Sequence, residues 1–289
     1  MKWEGQRQSD NIEDRRSGGA GRAAGKLGIS TIVLGLIASY FLGINPMQAI
    51  QLVGGVQNKI SPATQTQGQV PDSNTQDAQT AFVRTVVADT EDVWGKLFAA
   101  QGARYQQPIL VLYSGATPTA CGQGQAAMGP FYCPNDQKVY LDMNFFDTLS
   151  RQLGAPGEFA RAYVVAHEVG HHVQNLLGVT ERTDQARQRV SKVQGNAISV
   201  RVELQADCLA GVWAHHSQQG KGWLEQGDLE EALNAATKIG DDTLQKQAQG
   251  RVVPESFTHG SSVQRQRWFD TGLKHGSVRA CDTFAARQP

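Results

Sequence analysis

Hydrophobic and polar positions divide the chain into three stretches. Residues 27–44 are uncharged and largely apolar, the segment from about Gly54 to Ala78 is mostly Gln, Ser, Thr, Asn, Pro and Gly, and regular periodicity begins near Gln79. Phe82, Val86, Val93, Trp94, Leu97 and Phe98 fall on one helical stripe of the kind that covers a core. Ile109–Tyr113 and residues 138–143 have the β-branched and aromatic content of short strands, and the Gly-rich connection between them contains Met128-Gly129-Pro130-Phe131-Tyr132. Beyond Asp142 the period is helical. Ala162 to Ala166 and then Val173, Leu176 and Leu177 continue one apolar face that Gly178 stops, residues 202–211 form a second such segment, and 229–244 and 263–273 two more. The pattern predicts an α+β domain, mostly helical with a small sheet.

Composition adds one exclusion. With 289 residues, 40% hydrophobic and 27 basic against 27 acidic side chains, the chain has neither bulk charge nor a basic stripe for nucleic acid. Charge matters locally: Lys2, Arg7, Arg15, Arg16, Arg22 and Lys26 precede the apolar run. Eighteen residues rising about 1.5 Å each reach about 27 Å, enough for a bilayer core, and the basic flank is expected to stay in the cytoplasm. Glu4, Asp10, Glu13 and Asp14, together with the lack of a small-x-small site after the run, argue against a cleaved signal peptide. The expected organisation is a cytoplasmic segment 1–26, one transmembrane helix at 27–44, a flexible linker 45–78 and a domain 79–289 beyond the membrane. Four cysteines in an oxidising compartment predict two disulfides, Cys121 with Cys133 and Cys208 with Cys281; a Cys/His metal site would need a CxxC spacing that is absent. Nothing in the sequence sets an oligomeric state.

The chemistry concentrates at His167-Glu168-Val169-Gly170-His171. Two imidazoles four residues apart on a helix point the same way and can grip one metal ion, with the intervening glutamate toward the open position; zinc suits such a donor set. Gly170 costs a helix interior about 1 kcal/mol relative to alanine, so it is expected to admit another element close to the metal. A third ligand is supplied thirty-two positions beyond His171 by Glu203, with Asp207 one turn further on. Two carboxylates on one face of a largely apolar helix are costly without a nearby cation. Glu203 is therefore assigned to the metal, and Asp207 to the spare N–H of a ligating histidine. His172 lies about 100° around the helix from the metal and reads as supporting, while His215 and His216 suit a helix C-terminus.

The segments HEVGHHVQ and ELQAD resemble those of gluzincin-type metallopeptidases, in which two histidines and a downstream glutamate bind zinc. Over nearly the whole length, MKWEGQRQSDNIEDRR, ACGQGQAAMGPFYCPNDQKVYLD, ELQADCLAG and THGSSVQRQRWF resemble the bacterial putative neutral zinc metallopeptidases of the YpfJ type. The resemblance implies a zincin-like domain, a Zn2+ cofactor, a peptide or protein substrate, and a single-pass anchor in the bacterial inner membrane with the catalytic domain on the periplasmic side. In this reading zinc on His167, His171 and Glu203 activates water, Glu168 takes its proton and passes it to the departing amine. The oxyanion donor is chosen among His259, Tyr163, Arg265 and Arg267, with His259 preferred. The alternatives are a purely structural zinc, which would call for four protein ligands, and an idle or gated zinc-binding adaptor domain at the cell envelope. In zincin-like folds a sheet edge borders the cleft, and residues 130–133 are the candidate for it.

Overall fold

A computed structural model describes residues 1–16 and 73–289. In chain order its elements are β1 (Ile12–Asp14), α1 (Ser73–Ala99), β2 (Ile109–Tyr113), β3 (Ala116–Thr119), β4 (Gly122–Gln125), β5 (Phe131–Cys133), β6 (Lys138–Asp142), the short α2 (Asn144–Asp147), α3 (Glu158–Leu176), α4 (Val179–Arg187), α5 (Lys192–Lys221), α6 (Asp228–Lys238), α7 (Asp241–Gln249) and α8 (Ser262–His275). The mixed, mostly helical architecture with a small sheet matches the sequence pattern. Both predicted strands are present, although they run parallel to each other.

The sheet order is β1-β2-β6-β5, with β1, β2 and β6 parallel and β5 antiparallel to β6. A parallel strand covered on both faces is apolar throughout rather than alternating, and β2 obeys this in its buried Leu110 to Tyr113. Leu110 and Leu112, with Val139 and Leu141 of β6, join the main core beneath α1 and α3, whereas Val111, Tyr113, Tyr140 and Cys133 form a small second cluster on the opposite face. The β3–β4 hairpin is tied to β5 by the Cys121–Cys133 disulfide. β5 stands at the sheet edge, as expected for residues 130–133.

Two close helix crossings set the positions of the metal-binding segments. A Cβ on Gly170 would lie 2.9 Å from the backbone oxygen of Ala206, so the glycine lets α5 approach α3 beside the HExxH turn, as its place in the sequence suggested. A Cβ on Gly272 would come 1.9 Å from the Cys208 carbonyl, which brings α8 equally close to the other side of α5. The Cys208–Cys281 disulfide then ties the segment after α8 to the same turn. His215 and His216 do serve a helix C-terminus, but that of α8, through Leu273 O at 2.7 Å and Gly276 O at 2.8 Å; their own helix runs on to Lys221. The predicted helix 229–244 is broken after Lys238. Asp241 and Asp242 are needed there at a new helix start, where they accept the backbone N–H groups of Thr258, His259, Gly260 and Ser262.

The domain boundaries differ from expectation at the N-terminus. Residues 1–16 form a strap on the domain rather than a separate cytoplasmic segment. Trp3 packs edge-on to Phe82 and donates to Glu158 at 2.9 Å, Arg7 pairs with Glu91 and Asp92, and buried Ser9 donates to Glu91. β1 extends the sheet, and Arg16 reaches Thr80 of α1 at 3.0 Å. A single crossing at 27–44 would put this strap and its docking surface on opposite sides of a bilayer, so the expected split of 1–26 from 79–289 does not fit the packing. The run at 27–44 and nearly all of the linker 45–78 lie outside the described residues. Among the described residues, no helix is long and apolar enough to cross a membrane.

A chain lacking residues 1–16 is expected to melt about 10 °C below the full chain, since several hydrogen bonds of about 1 kcal/mol each are lost and each kcal/mol shifts a domain of this size by about 2–4 °C. An unchanged midpoint in thermal denaturation would show that the strap is not part of the folded unit.

Candidate metal centre

α3 delivers buried His167 and Glu168 and partly buried His171, and α5 brings partly buried Glu203 against the histidines. Ligand atoms of His167, His171 and Glu203 all lie within 4.8 Å of one another, the one group of metal-binding type found among the described residues. His167 Nε2 is 3.2 Å from one Glu203 carboxylate oxygen, and His171 Nε2 is 3.6 Å from the other.

Each histidine is oriented by its other nitrogen. His167 Nδ1 donates to Asp207 at 2.8 Å, and His171 Nδ1 donates to Gln174 Oε1 at 2.9 Å, leaving both Nε2 atoms for a metal. Asp207, expected one turn beyond Glu203, thus lies against His167 Nδ1. Gln174 was not singled out in the sequence, although its position three residues after His171, one helical turn along, carried the signal. Its amide is itself fixed by donation to Val202 O at 2.8 Å and to Gln205 at 3.0 Å.

Asp207 is fully buried and accepts from three directions. Besides His167 it receives Tyr163 OH at 2.5 Å and Arg265 through Nε and Nη2 at 2.8 and 2.9 Å. Burial would raise its pKa, but Arg265 and His167 outweigh it and hold the carboxyl at about 2. Burial disfavours charge on His167, yet Asp207 and Glu203 push it up to about 10. Burial likewise opposes ionisation of Glu203, and the two histidines hold it well below the usual carboxylate range. Glu168 differs in kind: burial raises its pKa, with His167 and His171 only partly opposing. A carboxyl so placed is suited to accept and return a proton.

The candidate oxyanion donors separate in space. Tyr163 and Arg265 are committed to Asp207, so they are supports of the histidine rather than free donors. Arg267 is turned away to Gln288 O. His259 remains, with a half-exposed side chain whose charge is felt by Glu203. His172 is fully buried between Tyr132 OH at 3.0 Å and Gln106 O at 2.6 Å, and it anchors β5 to α3 without touching the cluster. Both predicted disulfides are formed, and no described cysteine is free. Two imidazoles and a carboxylate, each preset for a single cation, fit zinc and suit harder ions such as magnesium less.

No solved structure matches the chain. Among curated proteins, an uncharacterized protein of Escherichia coli, YpfJ, is 48% identical over 98% of this chain and 99% of its own length. An uncharacterized protein of Mycobacterium tuberculosis is 48% identical over 63% of this chain and 64% of its own. The family model described as putative neutral zinc metallopeptidase matches residues 1–284, strap and metal centre included, and the chain belongs to that family.

Proposed function

We propose that this protein is a zinc-dependent peptidase of the cell envelope, with His167, His171 and Glu203 as zinc ligands and Glu168 as general base. The observation that carries this reading is the convergence of the three ligand groups, both histidines held by Nδ1, around a position that Glu168 borders. A bound zinc ion supplies Lewis acidity that brings water ionisation toward neutral pH and polarises a peptide carbonyl. Glu168 removes the proton from the attacking water and delivers it to the leaving amine, and its raised pKa suits a group that must hold that proton briefly. His259 donates through Nε2 to the oxygen on which negative charge develops. The free side of β5, at the sheet edge next to α3, offers backbone groups along which an extended peptide can lie as an added strand. A zinc of purely structural kind would be closed by four protein ligands and would have no use for a buried Glu168 at its side.

Two disulfides favour an oxidising compartment for the domain. Because the strap packs on that domain, we place residues 1–16 in the same compartment as the domain.

Glu168→Gln in the full chain should keep one zinc per chain while hydrolysis of a mixed peptide library falls about a hundredfold or more; loss of zinc in that variant would refute the division of roles. Asp207→Asn should weaken zinc binding about ten- to a hundredfold in a competitive chelator titration, as losses of ligand-orienting partners do. Unchanged affinity would reduce Asp207 to packing.

A further inference from the structure

Outside the ligand set, one buried carboxylate, Asp241, contacts His259 and has no role in the chemistry so far. Asp241, at the start of α7, accepts three consecutive backbone N–H groups with one carboxylate oxygen: Thr258 at 2.7 Å, His259 at 2.7 Å and Gly260 at 3.1 Å. Its own N–H returns a bond to Gly260 O at 2.9 Å. The second carboxylate oxygen lies 3.2 Å from His259 Nδ1, and Thr258 Oγ1 lies 3.1 Å from the same nitrogen. This is more than a loop anchor requires, since three N–H bonds already fix the backbone.

The loop is also seated at the metal centre. Gly260 is pressed on α5, where a Cβ would meet Leu204 at 3.2 Å and Val200 at 3.3 Å, so His259 stands beside the turn that carries Glu203. Its side chain is 52% exposed while Asp241 is buried, an arrangement that leaves the imidazole open to a ligand and hides the group holding it. With Nδ1 turned to a carboxylate, the imidazole carries its proton there, and Nε2 is the nitrogen available on the other side.

We propose that Asp241 is a positioning residue for His259: it fixes both the backbone at 258–260 and the Nδ1 side of the ring, so that Nε2 is presented beside Glu203 as a donor to the substrate oxygen. This rests on the peptidase reading, and it assigns to the carboxylate an action through His259 and none on substrate. Desolvation opposes charge on His259, but the bond to Asp241 and the nearby Glu203 carboxylate outweigh it and raise its pKa, which favours the ring form in which Nε2 can donate; Arg265 acts in the opposite sense.

The test compares the full-length zinc-loaded chain with Asp241→Asn, His259→Ala and the double variant, reading zinc content, kcat and KM on a mixed peptide library, and the nitrogen NMR titration of His259. Asp241→Asn should keep zinc, lower kcat about ten- to a hundredfold with KM little changed, and move the His259 titration to lower pH. In the His259→Ala background it should cost nothing further. Additive losses in the double variant, or a His259 titration unmoved by Asp241→Asn, would overturn the proposal. If the parent binds zinc but cleaves no peptide, the peptidase reading fails, and the His259 titration alone decides whether Asp241 positions the ring.

Discussion

The buried carboxylate of Asp207 is the interaction on which the rest of the site depends. A charge removed from water is tolerated only where its lone pairs are met by opposite charge and hydrogen bonds. Here the partners reach Asp207 on α5 from two other helices: Tyr163 and His167 from α3, and Arg265 from α8. Bringing α8 near enough for a bidentate guanidinium requires the side-chain-free crossing at Gly272, and bringing α5 near α3 requires Gly170. Metal-ligand geometry and helix packing are thus one constraint, because loosening either crossing would leave a buried ion without its partner.

The two candidate ligand histidines are supported unequally. His167 leans on a carboxylate whose charge is neutralised by Arg265, while His171 leans on the neutral amide of Gln174. A carboxylate partner makes an imidazole a stronger donor than an amide does, so His167 is the more basic of the two imidazoles. Arg265 tempers that effect and prevents Asp207 from competing for the proton.

How much of this was legible in the sequence follows from which interactions are local. The HExxH turn, Glu203 and Asp207, and the role of Gly170 could be read because helical period alone places them; count and compartment gave two disulfides, and the nearness of Cys121 to Cys133 left Cys208 for Cys281. The uses of Arg265 and Asp241 were not legible, since each depends on a helix meeting a segment far along the chain. Arg265 read as a candidate oxyanion donor, and only the folded structure shows it engaged with Asp207. β1 was invisible for another reason. Ile12-Glu13-Asp14 holds one apolar residue, and its strand character comes entirely from pairing with Leu110 to Leu112, so its charges read instead as a cytoplasmic flank.

The strap also carries a consequence for biosynthesis. Trp3 meets Phe82 and Ile12 pairs with Leu110, but Trp3 also bonds to Glu158 and Lys2 to Trp223 O, far further along the chain. At the usual pace of translation the later partners follow the strap by on the order of ten seconds. The strap can therefore engage only in stages during synthesis, and its last contacts close after α5 and the turn beyond it have been made.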